Sequence, residues 1–194
     1  MGSRAVLALG SNLGPREDNL DDAAAHLAAA GVHLLAATPR WNTAPIGAPS
    51  QPDYLNQLLL AEGRPDPWGW LAAAQEAEGE RHRLIDKGPR RLDVDVILVE
   101  GEESSDPRLL LPHPALLQRP YLLRGAALLV PRWTLGRRGP GVLELARQIL
   151  PPDWRLCLPD QLPPVPTEEV GEPGRLTDHP GSRGNPAPQV RPPG

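Results

Sequence analysis

The chain of 194 residues predicts an α+β domain with a mainly antiparallel sheet, on three observations. Short apolar runs alternate with longer stretches of helical spacing in the order strand, helix, strand, strand, helix, strand. Further helical stretches follow the last of these strands. The pattern then stops near Pro159, where the chain becomes rich in proline, glycine and charge and cannot bury enough surface to offset its ordering entropy. We therefore expect one domain of ordinary size over residues 1–158 and a disordered tail over 159–194, since dividing 158 residues again would leave marginal cores.

Taken in order, "RAVLAL" at Arg4–Leu9 reads as a short buried strand, and "GSNLGP" after it carries the glycine and asparagine of a turn. Pro15 suits a helix start, acids follow it, and apolar positions recur at helical spacing from Arg16 to Ala30, where Gly31 closes the run. Val32–Thr43 resumes as one strand, "TAPIGAPSQPDY" is an irregular loop, and Leu55–Glu62 is another strand. Asp66-Pro67 pairs a capping acid with a first-turn proline and opens a helix through "WGWLAAAQEAEGE". A loop of arginines leads to a strand at Leu92–Val99, and "LLPHPALLQRPYLLRGAALLVP" and "GVLELARQIL" are each partly helical. This βαββαβ order is that of a ferredoxin-like sheet with helices on one face and extra C-terminal helices behind.

Composition excludes several classes. A formal charge of −4 argues against nucleic acid as a partner, which needs a basic face. A single cysteine, Cys157, rules out an internal disulfide and fits a reducing cytoplasm. No apolar run reaches the ~20 residues of a membrane span, and the N-terminus lacks a signal peptide's apolar core. The expectation is a cytoplasmic monomer.

The chemistry concentrates in "GPRRLDVDVIL". Side chains alternate along a strand, so Asp93 and Asp95 share one face, while Leu92, Val94 and Val96 point to the other. Their backbones are ~7 Å apart, from a rise of ~3.3 Å per residue. Paired anions repel unless a cation lies between them, and two divalent metals ~3.5–4 Å apart would fit such a pair. Magnesium suits oxygen ligands and keeps phosphates and waters as the rest of its shell. Arg81, Arg83, Arg90 and Arg91 crowd the same region, and guanidinium groups bind phosphate oxygens bidentately. Acids paired with those arginines on a half-exposed strand would give the same pattern, and spacing alone leaves both readings open.

Three segments in unbroken order, "ALGSNLG", "TAPIGAPSQPDYLNQ" and "GPRRLDVDVIL" with "LPHPALLQRPYLL", resemble the 6-hydroxymethyl-7,8-dihydropterin pyrophosphokinase family of the folate pathway. The resemblance covers roughly residues 4–150. It implies a ferredoxin-like αβα sandwich that transfers pyrophosphate from ATP to the pterin's hydroxymethyl oxygen and releases AMP. It implies that Asp93 and Asp95 ligate two Mg2+ ions and that Arg81 and Arg90 are catalytic, meeting charge on the transferred group as arginine clamps do. For ATP it implies Gln75, Glu78, Arg83, Arg108, His113 and Arg119. For the pterin it implies Thr43, Ala44, Ile46, Tyr54, Asn56 and Tyr121. Tyr54 and Tyr121 are the chain's only two tyrosines, and it has no phenylalanine.

The chain departs from that pattern at Lys87, where members commonly carry a stacking tryptophan. The stretch "QEAEGERHR" is also short, so Glu76 competes with Glu78 for the nucleotide position. "GSNLG" lacks the lysine and spacing of a P-loop and reads as a turn from Gly10 to Gly14 that shapes the pocket wall. A second reading is a non-catalytic binding module of the same shape for nucleotide or RNA. Such modules display aromatics on central strands, and Arg4–Leu9 and Leu92–Val99 have none.

Overall fold

"SRAVLALGS" is apolar at consecutive positions, as a strand buried on both faces must be, and it forms the central strand β1 (Ser3–Ser11). In the computed structural model, which describes residues 2–45, 51–79 and 91–155, the chain continues through α1 (Arg16–Ala29), β2 (His33–Ala37), β3 (Trp41–Thr43), β4 (Tyr54–Arg64), α2 (Pro67–Glu78) and β5 (Asp93–Val99). A hairpin, β6 (Ser104–Asp106) and β7 (Leu109–Leu111), precedes a 3-10 turn at Pro114–Leu117. Helices α3 (Pro120–Leu129), α4 (Val142–Ile149) and the short α5 (Pro152–Arg155) complete it. The expected tail lies outside the described residues.

The main sheet runs β2-β4-β1-β5, with β3 also on β4, and every pairing is antiparallel. That is the ferredoxin-like order. Alternation along β1 sends Ala5, Leu7 and Leu9 to one face, against Leu20 and Leu27 of α1 and Trp70 and Ala73 of α2. Val6 and Ala8 face the other way, against Leu122, Leu123 and Ala126 of α3 and Val142 of α4. Both faces are therefore covered: the αβα sandwich that the resemblance implies holds, and the one-face arrangement read from the element order alone is corrected.

Local chemistry explains the element ends. Asp66 caps α2 by accepting from the Gly69 amide at 2.8 Å, with Pro67 at the first position. The single strand expected over Val32–Thr43 is two, because Pro39 has no N–H for the ladder. Thr38 bridges the break: its hydroxyl accepts from the Leu58 amide at 3.0 Å, and its own amide donates to the Leu58 carbonyl at 2.9 Å. β1 runs two residues past Leu9, so Gly10 and Ser11 are strand and not turn.

A bulge matters to the site. Val6 pairs with Leu98 and Leu7 with Val96, which skips Ile97. Two consecutive residues, Ile97 and Leu98, then pack on the α3 face.

Candidate active site

Asp93 and Asp95 open β5 on the α3 face and are half-exposed, while Val94 and Val96 are buried on the opposite face. The alternation expected for them holds. Across the sheet, Gly10 of β1 stands opposite Asp93, and Ala8 opposite Asp95. On its other side Gly10 stands opposite Asn56 of β4, which in turn stands opposite Trp41 of β3. Strands lie ~4.8 Å apart, so Asn56 and Asp93 are about 10 Å apart along the sheet, with only a glycine between them. Three strands thus make a floor with a carboxamide at one end and two carboxylates at the other.

The Asn56 end is polar but enclosed. Asn56 is 4% exposed, and its Nδ2 donates to Thr43 Oγ1 at 2.8 Å. Thr43 pairs with Tyr54, the first residue of β4, and exposed Ala44 follows. These four expected pterin residues come together, and Ile46 lies outside the described residues.

At the acid end α3 supplies the wall. Arg119 precedes it, and Arg119 Nη1 donates to the Tyr121 hydroxyl at 3.5 Å. Burial raises the pKa of the Tyr121 phenol, and the charges of Asp95 and Asp93 push the same way against the opposing Arg119. Burial also works against the Arg119 charge, but the Tyr121 hydroxyl and the two aspartates outweigh it and hold its pKa above the ordinary value. Arg119, Tyr121, Asp93 and Asp95 therefore form one electrostatic unit.

The other expected nucleotide residues are more dispersed. Glu78, at the end of α2, accepts from the Val94 amide at 2.9 Å, whereas Glu76 and Gln75 are exposed on the helix. Glu78 and not Glu76 therefore reaches the acid-bearing strand, and it does so through backbone. Arg108 sits between β6 and β7, paired twice with Asp106 and stacked 4.7 Å over the Trp68 ring. That pairing pushes the partly exposed Asp106 carboxyl down to about 2. His113 donates its amide to the Ile97 carbonyl at 2.9 Å, and its Nδ1 faces the Ala115 amide at 3.2 Å. A neutral His113 ring accepting there carries its proton on Nε2. Arg81, Arg83, Lys87 and Arg90 lie outside the described residues.

Sequence reasoning missed the support of this site. Asn12 is 2% exposed, and its Nδ2 donates to Gln51 Oε1 at 3.2 Å and the Pro52 carbonyl at 3.3 Å. The Tyr54 hydroxyl donates to the same Gln51 oxygen at 3.4 Å. Arg16 adds a bond to the Asp53 carbonyl at 2.7 Å and one to Asn42 Oδ1 at 3.1 Å. Asn19 Nδ2 holds the end of β1 through Ser11 Oγ at 3.0 Å and the Leu13 carbonyl at 2.9 Å. "GSNLGPR" is thus a clamp on the segment leading into β4. The available signal was its one amide, Asn12, and an arginine beside a strand end.

Among the described residues no group of three or more His, Cys, Asp or Glu forms a protein-built metal cage. The Asp93–Asp95 pair offers carboxylate oxygens from one side only, a donor set that suits a hard cation completing its shell with water and phosphate oxygens. No helix among the described residues is long and apolar enough to cross a membrane.

The comparisons identify the family. The family model for 7,8-dihydro-6-hydroxymethylpterin-pyrophosphokinase (HPPK) matches residues 6–131, and the chain belongs to that family. It is 36% identical over 149 residues to the 2-amino-4-hydroxy-6-hydroxymethyldihydropteridine pyrophosphokinase of Synechocystis, covering 75% of each chain. It is 34% identical over 137 residues to the enzyme of that name from Methylorubrum extorquens, covering 69% of this chain and 87% of the relative. The fold is similar to the solved Plasmodium falciparum HPPK-DHPS with pterin and p-hydroxybenzoate, at a TM-score of 0.56 and 12% identity. That match covers 76% of this chain but 43% of the solved one, so the chain spans less than half of the larger protein.

Proposed function

We propose that the chain transfers pyrophosphate from ATP to 6-hydroxymethyl-7,8-dihydropterin, giving the pterin diphosphate and AMP for folate synthesis. The observation that carries this reading is the sheet row Asn56–Gly10–Asp93, which sets a buried amide and a carboxylate pair on one face about 10 Å apart. The amide end accepts the pterin. Asn56 presents both a donor and an acceptor to the edge of the heterocycle, Thr43 and Ala44 line the entry together with Ile46, and Tyr54 and Tyr121 supply ring faces.

The acid end accepts the triphosphate. Asp93 and Asp95 would hold Mg2+, two ions with ATP bound, and the metal would supply neutralisation of the phosphate charge. Arg119, kept charged beside the acids, faces phosphate, and Arg108 and the Nε2 of His113 extend the nucleotide side. Arg83 and the α2 residues Gln75 and Glu78 complete that side by the same reading. Arg81 and Arg90 meet the charge that develops on the transferred group. The protein's part is chiefly positioning, because phosphoryl-group transfer asks for little covalent chemistry from side chains. The reading places a monomeric enzyme in the cytoplasm.

Asp95→Asn tests the metal assignment. With ATP, magnesium and hydroxymethyl-dihydropterin, turnover should fall at least about a hundredfold, more than is typical for losing an outer-shell partner. The melting temperature should hold, because Asp95 is half-exposed and faces the site. Turnover near that of the wild-type chain would refute it.

A further inference from the structure

The family match stops at residue 131, before α4 and α5, yet both helices pack onto the face of the sheet that carries the site. Val142, Leu143 and Ala146 of α4 are buried with α3, and Leu150 follows them into the same core. Arg155 Nη1 donates to the Arg147 carbonyl at 3.1 Å, which ties α5 back to α4. Trp154 of α5 is thereby set against Trp41 of β3, with ring centroids 6.5 Å apart and planes at 61°, an edge-to-face pair.

Arg124 of α3 completes the group. Its guanidinium carbon lies 5.2 Å from the centre of the Trp41 ring and 5.3 Å from that of Trp154, both within cation–π range. Its Nε is buried and meets no hydrogen-bond acceptor among the described residues. A buried donor without an acceptor costs stability, which the two indole faces offset.

Trp41 connects this stack to the site. It stands opposite Asn56 in the β3–β4 register, where opposed side chains share a face with Cβ atoms about 4.5–5.5 Å apart. The strand β3 is three residues long and pairs with β4, a short ladder for holding a large side chain. From the α1 side it is held by Arg16, which donates to Asn42 Oδ1 at 3.1 Å, and by Arg40, which pairs with Glu17 and Asp21. On the α3 face Arg124 and Trp154 close over Trp41.

Resting on the pterin reading above, we infer that Trp154 is a positioning residue for the ring end of the site, acting through Arg124 and Trp41. With both indoles on the guanidinium, the Trp41 ring is fixed beside Asn56. Without Trp154 it is free to turn across that amide, and the loss falls on pterin binding and not on the phosphate end.

The test is a double-mutant cycle on Trp154→Ala and Arg124→Met in the full chain. Equilibrium binding of 6-hydroxymethylpterin, with magnesium and a non-hydrolysable ATP analogue present, is followed by the pterin's own fluorescence. Steady-state kinetics use the dihydro substrate with ATP and magnesium. Trp154→Ala should raise the pterin Kd and KM about tenfold, the scale of one desolvated cation–π contact, while kcat at saturation and the KM for ATP stay within about twofold. Arg124→Met should do the same, and adding Trp154→Ala to it should cost less than about twofold more. Trp154→Phe keeps a ring face and should recover most of the binding, whereas Trp154→Leu fills the space without one and should not. If Trp154→Ala fails to fold, Arg124→Met and the comparison of Trp154→Phe with Trp154→Leu carry the test. Unchanged pterin binding in Arg124→Met, an equal effect of Trp154→Ala in both backgrounds, full recovery in Trp154→Leu, or a loss of kcat at constant KM would each overturn the inference. A wild-type chain that binds no pterin would overturn the pterin reading and this inference together, whereas wild-type binding to which Trp154→Ala is indifferent would overturn only the latter.

Discussion

Removing the Glu78 carboxylate should loosen the strand that carries the acids. In Glu78→Ala the Val94 amide, lying between Asp93 and Asp95, loses its acceptor at 2.9 Å. A hydrogen bond to a charged group contributes about 1.5–3 kcal/mol when well shielded. Glu78 is only partly buried, and water can replace it in part, so about 1–2 kcal/mol is expected. For a chain of this size that lowers Tm by roughly 2–8 °C, at about 2–4 °C per kcal/mol. Glu78→Gln keeps an acceptor oxygen and should recover about half of the loss. The kinetic consequence differs from the thermal one. A strand whose acids wander needs more metal, so the magnesium concentration for half-maximal turnover should rise several-fold in Glu78→Ala and return toward normal in Glu78→Gln. Calorimetric melting and a magnesium titration of initial rates measure the two effects. A Glu78→Ala protein that melts with the wild type and needs no more magnesium would refute the positioning role.

Two further outcomes concern ionisation. In Tyr54→Phe the remaining tyrosine, Tyr121, should ionise above the ordinary phenol value of 10.0, because burial disfavours its phenolate. A folded-state pKa raised in this way contributes stability that is present below pH 10 and lost as pH climbs through the folded pKa, which an absorbance titration with parallel melting would register. Asp106 is the opposite case: its carboxyl, lowered by Arg108 to about 2 from 3.8, contributes stability that is present above 3.8 and lost as pH falls toward 2. An NMR titration should place its midpoint near 2 and return it toward 3.8 in Arg108→Ala; an unshifted midpoint in the unsubstituted chain would deny the pairing.

How much of this was readable in advance depended on whether local pattern or tertiary pairing decided each element. Asp93 and Asp95 were readable because a period of two fixes faces without any knowledge of partners. The cap at Asp66 and the following helix were local as well. Gly10 and Ser11 misread as turn, since glycine and serine favour turns in isolation; only pairing with Asn56 and Leu55 on β4 makes them strand. The helical layer against the second sheet face had a signal in "AVLAL", whose unbroken apolar run asks for burial on both sides. The β6–β7 hairpin had little, because each strand is three residues long. In the site, residue types pointed to chemistry, but the supports did not announce themselves. Glu78 acts on a backbone amide sixteen positions away, and Asn12 on a segment about forty positions away. Such contacts belong to topology and leave no local periodicity.

The most direct measurement is the identity of the products. Phosphorus NMR of the chain with ATP, magnesium and 6-hydroxymethyl-7,8-dihydropterin should show AMP and the pterin diphosphate accumulating together in equal amounts. ADP with a pterin monophosphate, or ATP unconsumed while the chain is folded and binding pterin, would contradict the account.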